Sequence, residues 1–260
     1  MPSTRLPIKL FAGLALCLAA LSSAAAADKL HWQYSGDQGP EHWAQMRPDY
    51  ALCGRGQRQS PIDITSASIK PNQTAKPLQF DYRSAPASIV NDGHTVRVRI
   101  AKGSQLTIGA EHLSLQQFHF HTPGGDRLQG EAFPLAMHFL HKSRSGQLVS
   151  LVLLFRQGAE NKAMAGLLPQ MPARSDTAEH KLPAIDPAQW LPAERGYYSY
   201  AGSLTAPPCT EGVLWLVLKQ PQELSSAQLA SLHQLFPDNA RPVQALHGRS
   251  VSEGRSSLGP

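Results

Sequence analysis

The chain has 260 residues, with 24 Lys and Arg against 19 Asp and Glu, a net charge of +5 and 42% hydrophobic residues. That length suits one large domain or two small ones. No cluster of Lys and Arg with interleaved aromatics occurs, which argues against a nucleic-acid partner.

Arg5 and Lys9, the apolar run from Leu10 to Leu21, and Ala24-Ala25-Ala26-Ala27 read as the charged, apolar and small-residue regions of a secretory signal peptide. Cleavage after residue 27 starts the mature chain near Asp28 and leaves 22 basic against 19 acidic residues. The expected location is the periplasm or the outside of the cell. About twelve apolar residues fall short of the roughly twenty that span a bilayer, so no membrane partner is expected after cleavage. Cys17 follows Leu16, where a lipid-attachment site needs a small residue.

The mature chain keeps Cys53 and Cys209. An even cysteine count in an exported protein favours a disulfide, and closing a loop of about 157 residues stabilises by roughly 4–5 kcal/mol in the chain-entropy model. The alternative, that both are zinc ligands, is weakened because neither lies near a second cysteine.

From Trp32 to Pro61 the sequence is rich in Gly, Pro, Trp and Tyr without a sustained period, which predicts a segment wrapped over the core. Trp32, Tyr34 and Trp43 read as its packing anchors rather than as a binding site. Short extended runs follow at Leu78–Asp81, Ser88–Asn91, Thr95–Ile100, Gln105–Ile108, Gln116–His121, Leu135–His141, Leu148–Phe155 and Val213–Leu218. With turns at Asn91-Asp92-Gly93 and Ser145-Gly146, they predict a mainly antiparallel sheet. Leu148–Phe155 is apolar on both faces and is the expected central strand. Helices are expected at Asn161–Leu168 and at Ser225–Leu235, where Leu224, Leu229, Leu232 and Leu235 share one face. Pro183–Pro192 reads as a proline-spaced loop, and the polar last ten residues as a mobile tail.

The run Gln117-Phe118-His119-Phe120-His121 alternates at the strand period, so His119 and His121 share one face while Phe118 and Phe120 share the other. Seventeen residues after His121 comes Met137-His138-Phe139, and the intervening Thr122-Pro123-Gly124-Gly125-Asp126 is a turn that folds the second strand back on the first. Three imidazoles then converge. Three neutral imidazoles with an open fourth position suit a catalytic zinc ion. A His-x-His pair alone is equally readable as a chance alternation of core or surface histidines.

Further segments decide between these readings: Gln59-Ser60-Pro61-Ile62-Asp63-Ile64, Asn91-Asp92-Gly93-His94, Ser203-Leu204-Thr205-Ala206-Pro207-Pro208-Cys209-Thr210-Glu211-Gly212 and Asn239-Ala240-Arg241-Pro242. With the histidine runs, in this order, they make the chain from about His31 to Val251 resemble the α-type carbonic anhydrases. The resemblance implies one domain over residues 28–260, mainly β, with a large twisted, mostly antiparallel central sheet and a few peripheral helices. It implies reversible hydration of carbon dioxide to bicarbonate and a proton, with zinc on His119, His121 and His138. Thr205 would accept a hydrogen bond from the attacking hydroxide, and His94 would shuttle protons, unless it is only a turn histidine after Gly93. Gln117 would orient the ring of His119. Leu140, Leu151, Leu204, Val213 and Trp215 match the family's apolar pocket wall, and Cys53 and Cys209 match the disulfide of its exported members.

His141 lies on the opposite strand face from His138 and reads as structural, while His31, His42, His112, His180, His233 and His247 receive no role. Two carboxylates usual in the family are absent. Gly125 stands where a glutamate accepts a hydrogen bond from the threonine, and Ala136 where a glutamate orients the third histidine. Asp126 and Glu131 are the nearest candidates to compensate. The rival readings are a catalytically weakened zinc-binding relative acting as a binding module, and a zinc hydrolase of small esters.

Overall fold

Leu148–Gln157 carries Leu, Val and Phe on both faces, and its residues from Val149 to Phe155 are all buried. It is the middle of a 13-stranded sheet in the computed structural model, which describes residues 31–71, 76–173, 175 and 178–255. The signal-peptide reading of residues 1–27 lies outside the described residues. From edge to edge the sheet runs His180–Ile185, Ala85–Asn91, Val96–Ile100, Glu111–His121, Leu135–Lys142, Leu148–Gln157, Glu211–Leu218, Tyr197–Ser203, Val251–Gly254 and Ile69–Pro71. Most pairings are antiparallel. Parallel ones join Leu148–Gln157 to Glu211–Leu218 and to Gln222–Leu224, and Val251–Gly254 to Ile69–Pro71.

Both faces of the sheet are covered. Phe118, Phe120, Met137, Phe139, Leu151 and Leu153 fill one core together with Leu224 and Leu232, the second of which lies in the helix Ser226–Leu235. Ser225 caps that helix by accepting from Gln228 N, while the Gln228 side chain bonds back to Ser225 N. On the other face Ala136, Val152, Leu154, Tyr200, Trp215 and Val217 pack with Ile62, Ile64 and Phe133 beneath the candidate site. The first helix expected from the sequence is present as Lys162–Leu167, with Asn161 as its cap.

Two expectations need correction. Within Pro183–Pro192, taken as a loop, the chain instead completes the edge strand His180–Ile185, and the register slips between Leu182 and Ile185. Pro183 falls in that slip on an outer strand, where its missing N–H breaks no ladder. The last ten residues are not simply a tail, because Val251–Gly254 pairs with Tyr197–Ser199 on one side and Ile69–Pro71 on the other, and Val251 is fully buried. The polar composition of Ser252 and Glu253 conceals a strand whose inward positions are Val251 and Gly254.

The N-terminal segment is anchored by Trp43, whose indole N–H is shared between the carbonyls of Gln33 (2.9 Å) and Gln38 (3.0 Å). Beneath it Cys53 and Cys209 form a disulfide, with Cα atoms 5.1 Å apart and a sequence separation of 156. This bond ties the short helix Leu52–Arg55 to the loop that carries Thr205. Arg241 reinforces the junction by donating to Gln59 Oε1 and to the Cys53 carbonyl, each at 2.7 Å. Complete reduction is expected to lower the thermal midpoint, since the closed loop is worth roughly 4–5 kcal/mol in the chain-entropy model. Calorimetry with and without reductant checks this, and an unchanged midpoint after verified reduction refutes it.

Candidate metal centre and its cavity

The strands Glu111–His121 and Leu135–Lys142 pair so that His119 lies directly opposite His138 and His121 opposite Ala136. Alternation then delivers all three imidazoles to one face, while Phe118, Phe120, Met137 and Phe139 go to the core. One nitrogen from each of His119, His121 and His138 lies within 4.8 Å of the others. The ring centroids are 5.0, 5.2 and 4.6 Å apart.

Hydrogen bonds to the outer ring nitrogens fix two of these rings. His121 Nδ1 is 2.7 Å from the carbonyl of Asn239, which can only accept, so Nδ1 carries the proton and Nε2 keeps a free lone pair. Gln117 Oε1 holds His119 Nδ1 in the same sense at 3.1 Å. His121 Nε2 is buried and has no partner among the described residues. Burial pushes the pKa of all three imidazoles down, helped at His119 by His121 and Arg97 and at His138 by the other two, so they stay neutral. Neutral imidazoles with free inward lone pairs are the donor set zinc takes, and the residues fit that ion.

The trio forms the floor of a cavity of about 490 Å³, whose wall includes Leu140, Leu204, Val213 and Trp215. Thr205 and Gln117 also line it. Trp215 donates its indole N–H to the Ser203 carbonyl at 3.0 Å and meets His138 edge-on at 5.2 Å. Leu151, expected on this wall, lies instead in the core on the far face, opposite Phe139. Its neighbour Ser150 lines the cavity, because the parity of the strand is set by the pairing of Ser150 with Leu140.

His94 lines the cavity and lies face to face with Trp32, with centroids 3.6 Å apart and planes 6° apart. His31, assigned no role from its spacing, stacks on the same ring at 4.6 Å. Burial, and secondarily His31, lower the His94 pKa. Trp32 and Tyr34, read as packing anchors alone, are cavity residues as well. Sequence spacing also missed Arg97 and Arg99, which line the cavity while Val96 and Val98 are buried in the core. Strict alternation in Val96-Arg97-Val98-Arg99 was the available signal. Arg97 pairs with Asp92, whose other oxygen accepts from the backbone N–H groups of His94 and Thr95, each at 3.0 Å. Asn239 is a further omission. Besides accepting from His121, it accepts from Thr122 N at 2.7 Å through Oδ1 and donates to the His94 and Phe120 carbonyls at 2.8 and 3.0 Å.

A eukaryotic-type carbonic anhydrase family model matches residues 38–255. The chain belongs to that family. It is 40% identical to a carbonic anhydrase of Pectobacterium carotovorum over 239 residues, 92% of this chain and 97% of the relative. Over 236 residues it is 38% identical to a carbonic anhydrase of Nostoc, 90% of this chain and 89% of the relative. The solved α-carbonic anhydrase of Thermovibrio ammonificans, in complex with sulfanilamide, superimposes with a TM-score of 0.81 at 39% identity, covering 85% of this chain and 98% of that one.

Against this carbonic anhydrase frame, neither expected substitute carboxylate reaches Thr205. Asp126 is fully buried, and its Oδ1 accepts from Ile62 N at 3.1 Å and from the Tyr200 hydroxyl at 2.7 Å. Glu131 is exposed, and its backbone bridges to Leu128. Gly125 is packed against Pro61, so an added Cβ would stand 2.9 Å from Pro61 Cγ. Gly125→Glu is therefore expected to cost about 1–3 kcal/mol through overpacking, read as a lower urea midpoint. An unchanged midpoint would mean that Pro61 gives way freely.

Proposed function

We propose that the protein catalyses the reversible hydration of carbon dioxide to bicarbonate and a proton, with zinc held by His119, His121 and His138. The observation that carries this reading is the convergence of three neutral imidazoles within 4.8 Å at the floor of a largely apolar cavity. Bound there, zinc supplies a Lewis acid that makes water nucleophilic near neutral pH, as established for carbonic anhydrases. Gln117 and the Asn239 carbonyl hold two of the rings, so little reorganisation is required on metal binding. Leu140, Leu204, Val213 and Trp215 offer a small uncharged substrate an apolar wall with few hydrogen bonds to satisfy. The Thr205 hydroxyl, on the same wall, accepts from the attacking water and aims its lone pair at the carbon.

His94 carries the released proton to solvent. Burial holds its pKa below the ordinary histidine value, which favours the neutral ring that can accept a proton, and its contribution is lost as pH falls through that lowered pKa. The disulfide supports an exported, oxidising location for the domain.

A second reading, a metal-binding relative with weak turnover, is favoured by one observation. No described residue accepts a hydrogen bond from Thr205, and the resemblance places the missing acceptor glutamate at Gly125. Proton release on carbon dioxide hydration, normalised to measured zinc content, separates the two. Activity that follows zinc content and vanishes on chelation supports the enzyme; full zinc with no rate above the metal-free protein supports the binder. His94→Ala is expected to slow turnover in dilute buffer and to recover on addition of imidazole. Equal rates at low buffer concentration would remove His94 from the proton path.

A further inference from the structure

His138 has one ring nitrogen too many. Its Nε2 is fully buried with no partner among the described residues, whereas Nδ1 is not one of the buried, unpartnered atoms and is free to be the nitrogen offered to the metal trio. If Nδ1 ligates, Nε2 must carry the proton and becomes a buried donor without an acceptor. Ala136, two residues earlier on the same strand face, offers only a methyl group.

The described residues hold five other buried side-chain atoms without partners. His94 Nδ1 belongs to the ring stacked on Trp32, His141 to a ring bonded to Tyr82 at 2.7 Å on the far face, Arg241 Nε to a guanidinium over Trp43, and His121 Nε2 to the metal trio. The fifth is Asp126 Oδ2, the one carboxylate oxygen of the set. Asp126 and His138 are joined by a short chain of contacts. Asp126 Oδ1 accepts from Tyr200, Tyr200 stacks on Trp215 at 5.7 Å, and Trp215 meets His138 edge-on. The turn that carries Asp126 also lies against Ala136, since a Cβ added to Gly124 would stand 3.2 Å from the Ala136 methyl carbon. The turn of Asp126 and the strand of His138 thus approach each other through two small residues, Gly124 and Ala136.

We propose that Asp126 is the positioning residue of His138, its Oδ2 accepting the Nε2 proton through one shared water and so holding Nδ1 toward the zinc. The inference rests on the zinc reading above. Asp126 would replace by a relay the direct carboxylate that Ala136 lacks. A water needs at least two polar partners to be held in a buried site, and these two atoms supply them. Burial lifts the Asp126 pKa to about 6, which still leaves it ionised, and the stronger acceptor, at neutral pH.

Asp126→Asn is the test, because it is nearly isosteric. The amide oxygen keeps the bonds from Ile62 N and Tyr200, and the amide NH₂ takes the place of Oδ2, where it cannot accept from the shared water. Zinc affinity, measured by competition with a chelator, is expected to fall 10- to 100-fold, the range known for partners of this kind partly from carbonic anhydrases themselves. In ¹⁵N-histidine spectra of the zinc-loaded protein, the His138 ring N–H resonance should move while those of His119 and His121 stay in place. Adding Ala136→Glu to the variant should restore affinity by supplying the acceptor directly. Equal affinity with an unmoved His138 resonance overturns the proposal. So does fast solvent exchange of the His138 Nε2 proton in the unaltered zinc-loaded protein, a measurement that stands even if the variant fails to fold. An unaltered protein that binds no zinc refutes the metal reading instead.

Discussion

Because side chains alternate along a strand, the pairing that sets His119 opposite His138 also decides which residues face the cavity and which face the core. A slip of one residue on either strand would send phenylalanines into the cavity and imidazoles into the packed core. Phe118, Phe120, Met137 and Phe139 are fully buried, so the apolar face resists that slip. Each such side chain gains about 1.5–3 kcal/mol from burial. The precision of the polar face is thus a by-product of hydrophobic packing on the other.

Register places the rings; hydrogen bonds orient them. Gln117 reaches His119 from two residues away on the same strand, whereas the partner of His121 is a backbone carbonyl 118 positions distant. The cavity wall is equally composite. Leu140 and Ser150 come from the central strands, Thr205 from a loop tied by the disulfide, and Trp32 from the N-terminal segment. The donor set is therefore assembled mainly by the sheet, while its surroundings depend on docking of the segment that carries Trp32 and of the loops that carry Thr205 and Asn239.

These two levels differ in how far they can be read from sequence. The trio and the central strand were legible because period-two alternation and a doubly apolar run survive without tertiary information. The family motifs then carried Thr205, His94 and the cysteine pair. What failed depended on local parity or long-range contact. Leu151 matches the family's pocket wall but faces the core, and because its strand is apolar on both faces, alternation supplies no phase that would point to Ser150 instead. Trp32 looked like packing because its partner, His94, is remote in sequence. The roles of Asp126 and Asn239 rest on bonds to backbone groups and to a distant tyrosine, which spacing does not encode, although Asn239 stands in one of the motifs that carry the family resemblance. Val251–Gly254 was hidden by its polar neighbours.

Asn239 occupies a position that other side chains fill poorly. Its side chain accepts from Thr122 and donates to the carbonyls of His94 and Phe120, while its own carbonyl holds His121. Aspartate could accept but not donate, leucine could do neither, and glutamine carries the amide one methylene too far. His121 and the turn that carries His94 therefore hang from one residue, the first from its main-chain carbonyl and the second from its side-chain amide, so a shift of Asn239 would move both together.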